Sequence, residues 1–557
     1  MAIFPSFYVG CFIFGTSFVS YLYLKRYEPR SLSRFFICFV CVPCLLATGL
    51  VSHFVSFLRA FTVCILSYNA LLLGYATVYR LSIFHPLAQY PGPLLPRVSK
   101  LRSSYVCAQG RQHVYYQRLH EQYGDFVRVG PNELSIRDAS AIPEVLGVGG
   151  LPKGPFWDDR PNSGPTLISR RDPVEHARRR KPWNRGFTSA AVRDYEDIVI
   201  KRSQQLVERL DGLVQELKDG GNGNWVALDM GAWMSYFSTD LMGDMVFGGG
   251  FELVRDGKDS EGIWELMESA LETSAIIAHV PWLFLFVQVV PSLQALVDRV
   301  QEFARRNVIK RMAMGAQRKD LYFHLSDEEK HESIPPSFEE LTADGTLAIV
   351  AGSDTSATVL TALFYYLVRR PAAYKRLQEE IDFVFPRGVE TTDAAKLSDM
   401  TWLNGCINEA SRLVPPVPSG GQRTVLRGAG PKVIGKHVVP EGTQVFVHTY
   451  SIHRDPRNFS SPDVFLPERW LSRIPQEITA HNPAALFPFS YGPENCAGKS
   501  LALLEMRMVV CWLLQQFELQ PPGDSDGRLP FDEWETALRD FYVMQKPPLW
   551  LKLRRRQ

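Results

Sequence analysis

Apolar positions fall into two regimes along the chain. Up to about residue 80 they run together. Ile3 to Leu24, Phe35 to Phe57 and Ala60 to Tyr79 carry no Asp, Glu, Lys or Arg, and each is close to the roughly 20 residues that a bilayer span requires. Only Leu58 and Arg59 separate the last two. Beyond this region apolar residues recur at three and four, which predicts helices over Asp194 to Leu217, Gly262 to Ser274, Pro291 to Met314, Ser337 to Val368 and Pro371 to Phe385. Phe126 to Val129 and Glu133 to Ile136 alternate around Gly130-Pro131-Asn132 and predict a hairpin. The polar stretch Ser326 to Ser337 is the best loop, and no internal repeat is visible. The expected fold is mainly α with small β-sheets, preceded by membrane helices. Ile276 to Val290 is apolar but too short for a span and interrupted by Pro281. It is either core or a surface that dips into a bilayer.

Charge order identifies the first segment as an anchor. A cleavable signal puts its positive residues before a shorter apolar run, whereas here Lys25, Arg26, Arg30 and Arg34 follow it, with Glu28 the only acid among them. Three spans would place this loop and the remaining chain in the cytosol and the Arg59 turn in the lumen. One span followed by an interfacial hairpin is the alternative, favoured by the polar His53 and Asn69. The expected division is an anchor over residues 1–83 and a catalytic domain over 84–557, joined through the stiff connector His85 to Pro93.

Hydrophobic residues make up 46% and charged residues 22%, so a packed core is feasible and a many-span transporter is not. Lys+Arg 61 against Asp+Glu 59 leaves a net charge of +2, which argues against gripping nucleic acid. Nine cysteines are too few for a disulfide scaffold. Cys38, Cys41 and Cys44 form one stripe of an apolar helix and are expected to pack. The run Arg178 to Lys181 is a solvated face unless a partner engages it, and Arg554 to Arg556 is expected to be a soluble tail.

The sharpest chemical signal is Phe489-Ser490-Tyr491-Gly492-Pro493-Glu494-Asn495-Cys496-Ala497-Gly498. A lone cysteine between turn-forming residues, just before the helical run Lys499 to Gln516, sits beside a helix N-terminus that favours thiolate. Such a sulfur is a nucleophile or an axial metal ligand, and no base is marked beside it for the first role. Phe489, Gly492, Cys496 and Gly498 match Phe-x-x-Gly-x-x-x-Cys-x-Gly in register, and in this the chain resembles the cytochrome P450 family from about Pro86 onward. The wording around the cysteine looks most like fungal members.

The resemblance implies haem b with Cys496 as the axial thiolate, which favours O–O cleavage. It identifies Ala351-Gly352-Ser353-Asp354-Thr355-Ser356 as the segment of a distal helix where Asp354 and Thr355 relay protons during dioxygen activation. Gly, acid and alcohol in mid-helix each cost helix propensity, and an opening of the helix is expected there. Glu409 and Arg412 share a helix face and, with Arg469, would form a buried ion network. His176 and Arg180, one turn apart, would reach haem propionates, with Arg423 as a third contact. One departure stands out: members commonly carry Arg or His two residues before the cysteine, and here that residue is Glu494, an acid expected to be unfavourable there unless it points to solvent.

These features imply a membrane-anchored monooxygenase in the endoplasmic reticulum, with its catalytic domain in the cytosol. It would oxidise an apolar, terpenoid-like small molecule with electrons from NADPH. No NADPH or flavin fingerprint is present, so the electrons are expected from a separate NADPH-cytochrome P450 reductase, with cytochrome b5 as a second donor. A haem-thiolate isomerase or dehydratase, and a haem sensor or carrier, are the alternatives. Substrate is expected to be lined by regions 153–170, 271–295 and 417–422.

Overall fold

The computed structural model describes residues 7–27, 29, 31–158, 166–219, 225–523 and 529–556. Residues 3–6 of the first apolar stretch, Glu28, Arg30 and residues 159–165 of the first expected substrate region lie outside these.

The apolar N-terminal part forms three helices, Phe7–Arg26, Leu32–Gly49 and Phe57–Leu81, each long and apolar enough to cross a membrane. Ala60, Cys64, Tyr68 and Leu72 recur at every fourth position of the third helix and bury against Val9 and Ile13 of the first and Ala47 of the second. Pro43 has no N–H for the Phe39 carbonyl one turn back. The backbone loosens into a π turn over Ile37–Cys41, and the two freed carbonyls find donors on the third helix. Asn69 Nδ2 donates to Phe39 at 3.2 Å and the Tyr68 hydroxyl to Cys38 at 3.1 Å. Asn69 is thus a bundle contact.

The expected turn at Leu58 and Arg59 lies elsewhere. A short 3₁₀ turn over Val51–His53 ends the second helix, and Ser56 caps the third by accepting from the Arg59 amide at 3.3 Å. Leu58 and Arg59 are therefore in the first turn of a helix.

In the domain, the central helix Phe338–Arg369 begins with a Ser337/Glu340 capping box and is buried along most of its length. It packs against Met230–Phe247, where a Cβ on Gly352 would come within 2.5 Å of Met242 Sδ. The other expected helices appear as Glu196–Asp219, Ile263–Ala278, Pro291–Met314 and Pro371–Val384. Phe126–Gly130 and Glu133–Ile136 form the expected hairpin, which Gln444–Val447 extends in parallel and Arg423–Thr424 completes.

Trp550–Arg555 is the middle strand of a sheet with Val226–Asp229 and Phe517–Gln520. This corrects the soluble-tail expectation: Arg554 pairs with Glu518, Arg555 with Asp211 and Arg556 with Asp382. The run Arg178 to Lys181 is partnered as well, with Arg178 on Glu175 and Glu340, Arg179 on Asp344 at 2.6 Å and only Lys181 left exposed. Pro281–Val289 is a 3₁₀ segment that buries Phe284 and Val287, stacks Trp282 on Phe35 of the second apolar helix at a centroid distance of 5.9 Å and sets Phe286 edge-on to the same ring at 5.3 Å. It serves both the core and the contact with the apolar N-terminal helices.

Candidate active site

The cysteine loop closes through its own backbone, with the Cys496 amide donating to the Phe489 carbonyl at 2.9 Å. Gly492 turns the chain at φ +76°, and any Cβ there would strike the Leu146 carbonyl oxygen, so this position requires glycine on both counts. Gly498 leads directly into the helix Lys499–Gln516. Burial pushes the Cys496 thiol up, while the Gly498 amide, the Arg180 guanidinium and Lys499 pull it down. Cys107, Cys406 and Cys511 are buried, so Cys496 is the one solvent-accessible cysteine among the described residues of the domain, surrounded by protein atoms but open on one side.

The central helix contributes Asp354 and Thr355. It stays α-helical through the motif, contrary to the expected opening. The Thr355 hydroxyl donates to the Ala351 carbonyl at 2.6 Å, an i−4 bond that leaves the helix ladder intact. Ala351 is exposed and Gly352 and Thr355 are half-buried in mid-helix, so this turn borders open space, while Asp354 is buried on another side. The Asp354 Oδ1 atom has no hydrogen-bond partner and stands 3.8 Å from Lys546 Nζ.

A cluster of cations gathers beside the cysteine loop. His176 and Arg180 come from the helix Pro173–Gly186, which Asp172 caps. Arg423 lies on a short edge strand, and the buried Lys153 joins them. Arg180 donates to the Asn495 carbonyl at 2.9 Å. His176 is pulled down to about 4, first by burial and then by Lys153. Glu494 does not point to solvent: it accepts from Arg423 at 2.5 Å and faces Lys153 at 3.6 Å. Burial raises its carboxyl, yet Arg423 and Lys153 outweigh that and hold it below the ordinary range. The expected penalty is thus offset by two cations, one of which, Lys153, no sequence motif marked.

This cluster fits a haem. Three basic side chains and a histidine face one carboxylate, and Arg423 Nε is buried without a partner. A ligand with two further carboxylates, as haem has, would balance the charge and engage that donor.

The structure brings Glu409, Arg412 and Arg469 together. Glu409, Arg412 and Arg469 are fully buried; Arg412 clasps Glu409 through two bonds of 2.8 and 3.0 Å, and Arg469 Nε reaches it at 3.1 Å. Trp470 Nε1 and the Leu466 amide, both absent from the sequence expectation, fill the remaining acceptor sites at 2.9 Å. Burial raises Glu409, but Arg412 and Arg469 prevail and keep it below the usual carboxylate range.

The three expected substrate regions converge. Phe156, His279, Ser419 and Gln422 line a cavity of about 20 Å³ together with Tyr542, which lies outside all three regions. Phe156 and Trp157 meet the Tyr542 ring with centroids at 5.6 and 5.4 Å.

The family model for Cytochrome P450 matches residues 89–551. The chain is a cytochrome P450. It is 32% identical over 525 residues to the cytochrome P450 monooxygenase nodW of Hypoxylon pulicicidum, covering 94% of this chain and 92% of that protein. It is 33% identical over 482 residues to the monooxygenase FCK2 of Fusarium pseudograminearum, at 85% and 83% coverage. Cytochrome P450 67 of Uromyces fabae is 31% identical over 554 residues, at 96% and 97% coverage. The P450 family binds haem through a cysteine thiolate, and the chain is a P450 monooxygenase.

Proposed function

We propose that this P450 is anchored by residues 1–83 in the endoplasmic reticulum membrane, with residues 84–557 facing the cytosol. There it oxidises an apolar, terpenoid-like small molecule of fungal secondary metabolism. NADPH-cytochrome P450 reductase supplies the electrons, with cytochrome b5 as an auxiliary donor. Cys496 would hold the haem iron through its thiolate, and Arg180, Arg423, Lys153 and His176 would hold the propionates. Haem, when bound, supplies the activation of dioxygen.

The observation that carries the monooxygenase reading at residue level is the Asp354–Thr355 pair, placed on a turn of the central helix that borders open space. Thr355 presents a hydroxyl that can hold and pass a proton, and Asp354 stands behind it as the acid. An isomerase, a dehydratase or a haem carrier has no use for such a relay.

The test is turnover in membranes with purified reductase and NADPH against terpenoid, steroid and fatty-acid panels, read by mass spectrometry. The expected product gains one oxygen atom and requires NADPH. A product formed without NADPH would favour the isomerase or dehydratase instead.

A further inference from the structure

Arg128 carries a buried positive charge with no anion beside it. Eight arginines are buried among the described residues, and seven of them reach a carboxylate oxygen within 3.1 Å. Arg128 is the exception. It sits fully buried on the strand Phe126–Gly130, and its side chain donates to the Gly130 and Pro131 carbonyls at 3.4 and 2.9 Å. Its Nη1 has no acceptor among the described residues. Glu133 of the same hairpin is taken by Lys100 and Gln422.

Hydrogen bonds draw more cations to this strand. The Arg128 amide donates to the Pro91 carbonyl at 2.7 Å, and Arg97 Nη2 donates to the preceding carbonyl, that of Tyr90, at 3.3 Å. Arg97 Nε is buried without an acceptor among the described residues. The third apolar helix ends here too: Arg80 Nη1 donates to the Val98 carbonyl at 2.7 Å, and Lys25 of the first helix stands 3.4 Å from the Tyr79 ring. Burial, then Arg97 and Arg80, pull the Arg128 guanidinium down to about 10. The sequence offers no local remedy, since nine Lys or Arg and no acid lie between Glu28 and Glu121. Large apolar side chains flank these cations. Ile83 and Phe84, just after the third apolar helix, are 84% and 83% exposed, and Leu94 and Leu95, on the short helix that carries Arg97, are 66% and 71% exposed.

We propose that Arg97, Arg80, Lys25 and Arg128 form a headgroup site for an anionic phospholipid, where the apolar helices join the domain. The inference rests on the reading of residues 1–83 as a membrane anchor. A phosphate suits the site, because guanidinium groups bind it through paired N–H donors and a buried cation needs an anion. The half-buried Arg97 and Arg80 make the contact, and the fully buried Arg128 acts through its charge. Ile83, Phe84, Leu94 and Leu95 select the lipid over free phosphate, since they bury at the acyl boundary while the cations meet the headgroup.

The test uses the full-length holoenzyme in nanodiscs of equal parts phosphatidylcholine and phosphatidic acid. Native mass spectrometry of the released protein should find phosphatidic acid retained in preference to phosphatidylcholine. Arg97→Gln should lower that preference about fivefold, the worth of one cation near a membrane surface. Arg102→Gln removes the same charge from the next helix, where Arg102 lies over Tyr105 and Tyr115, and should leave the preference unchanged. Equal losses in the two variants would reduce the effect to a diffuse field and overturn the site. Displacement of the lipid by inorganic phosphate, unmatched by chloride at equal ionic strength, would make free phosphate the ligand and overturn it too. If Arg97→Gln fails to fold, Lys25→Gln, exposed on the first helix, decides in the same way. Release of the protein from membranes by alkaline carbonate would defeat the anchor reading, whereas a membrane-bound protein without lipid preference defeats the headgroup site alone.

Discussion

Arg423 and Glu494, 71 positions apart in the chain, meet at 2.5 Å, and Lys153 approaches the same carboxylate oxygen at 3.6 Å. The acid that departs from the family pattern is thus held by cations that would also serve a propionate. Glu494→Gln removes one negative charge beside the cysteine loop, so the ferric state loses stabilisation relative to the ferrous state. The haem midpoint potential should rise, as read by a spectroelectrochemical titration; a fall would show that Glu494 acts by some other route.

Cys496→Ala should abolish the thiolate-ligated spectrum of the reduced carbon monoxide complex. Cys107, Cys406 and Cys511 are buried and offer no substitute. A retained spectrum would refute the ligand assignment.

Thr355→Ala should keep haem and substrate binding while diverting reducing equivalents into peroxide. The helix loses only a side-chain bond to Ala351, so the fold has little reason to change. General acid–base groups contribute about 10²–10⁴-fold, and water can replace part of that, so a clear drop in product per NADPH is expected. Product, peroxide and NADPH consumption are measured together. An unchanged ratio would make Thr355 a helix residue only.

Glu409→Gln should destabilise the domain by about 3–5 kcal/mol, because it leaves Arg412 and Arg469 buried without their anion. Since the folded-state value of Glu409 is depressed, its contribution is present above the unfolded carboxylate value and is lost as pH falls through the folded one. Wild type and variant should therefore converge in thermal melts at acid pH and differ most near neutrality. A gap that does not shrink on acidification would assign the loss to packing instead.

Val55 is 81% exposed in the connection between the second and third apolar helices. If all three helices span, Val55→Cys in sealed microsomes should react with an impermeant thiol reagent only from the lumenal side. Reaction from the cytosolic side would leave one span and a hairpin.

Local signals account for what the sequence made legible. The onset of the central helix near Ser337, the period of the long helices and the spacing around Cys496 all depend on neighbours within a few residues, and the structure reproduces them. The turn before the third apolar helix was misplaced because hydropathy is blind to a single capping hydroxyl, and Ser56 was the available signal. Lys153 and Lys546 were not legible. Each meets its partner across a distance in sequence that only the fold closes, and neither carries a motif of its own. The same holds for the C-terminal arginines, whose acids sit on three separate elements.

Phe35, seated on Trp282 and Phe286, gives the N-terminal helices a second point of attachment to the domain. A body held at one point swivels; a body held at two can only rock about the line between them. Lengthening the connector after Ser82 should therefore do little to free the domain while the aromatic contact holds. A truncation that discards the first 83 residues would leave Trp282 and Phe286 bare, and such a protein should self-associate until those two rings are made polar.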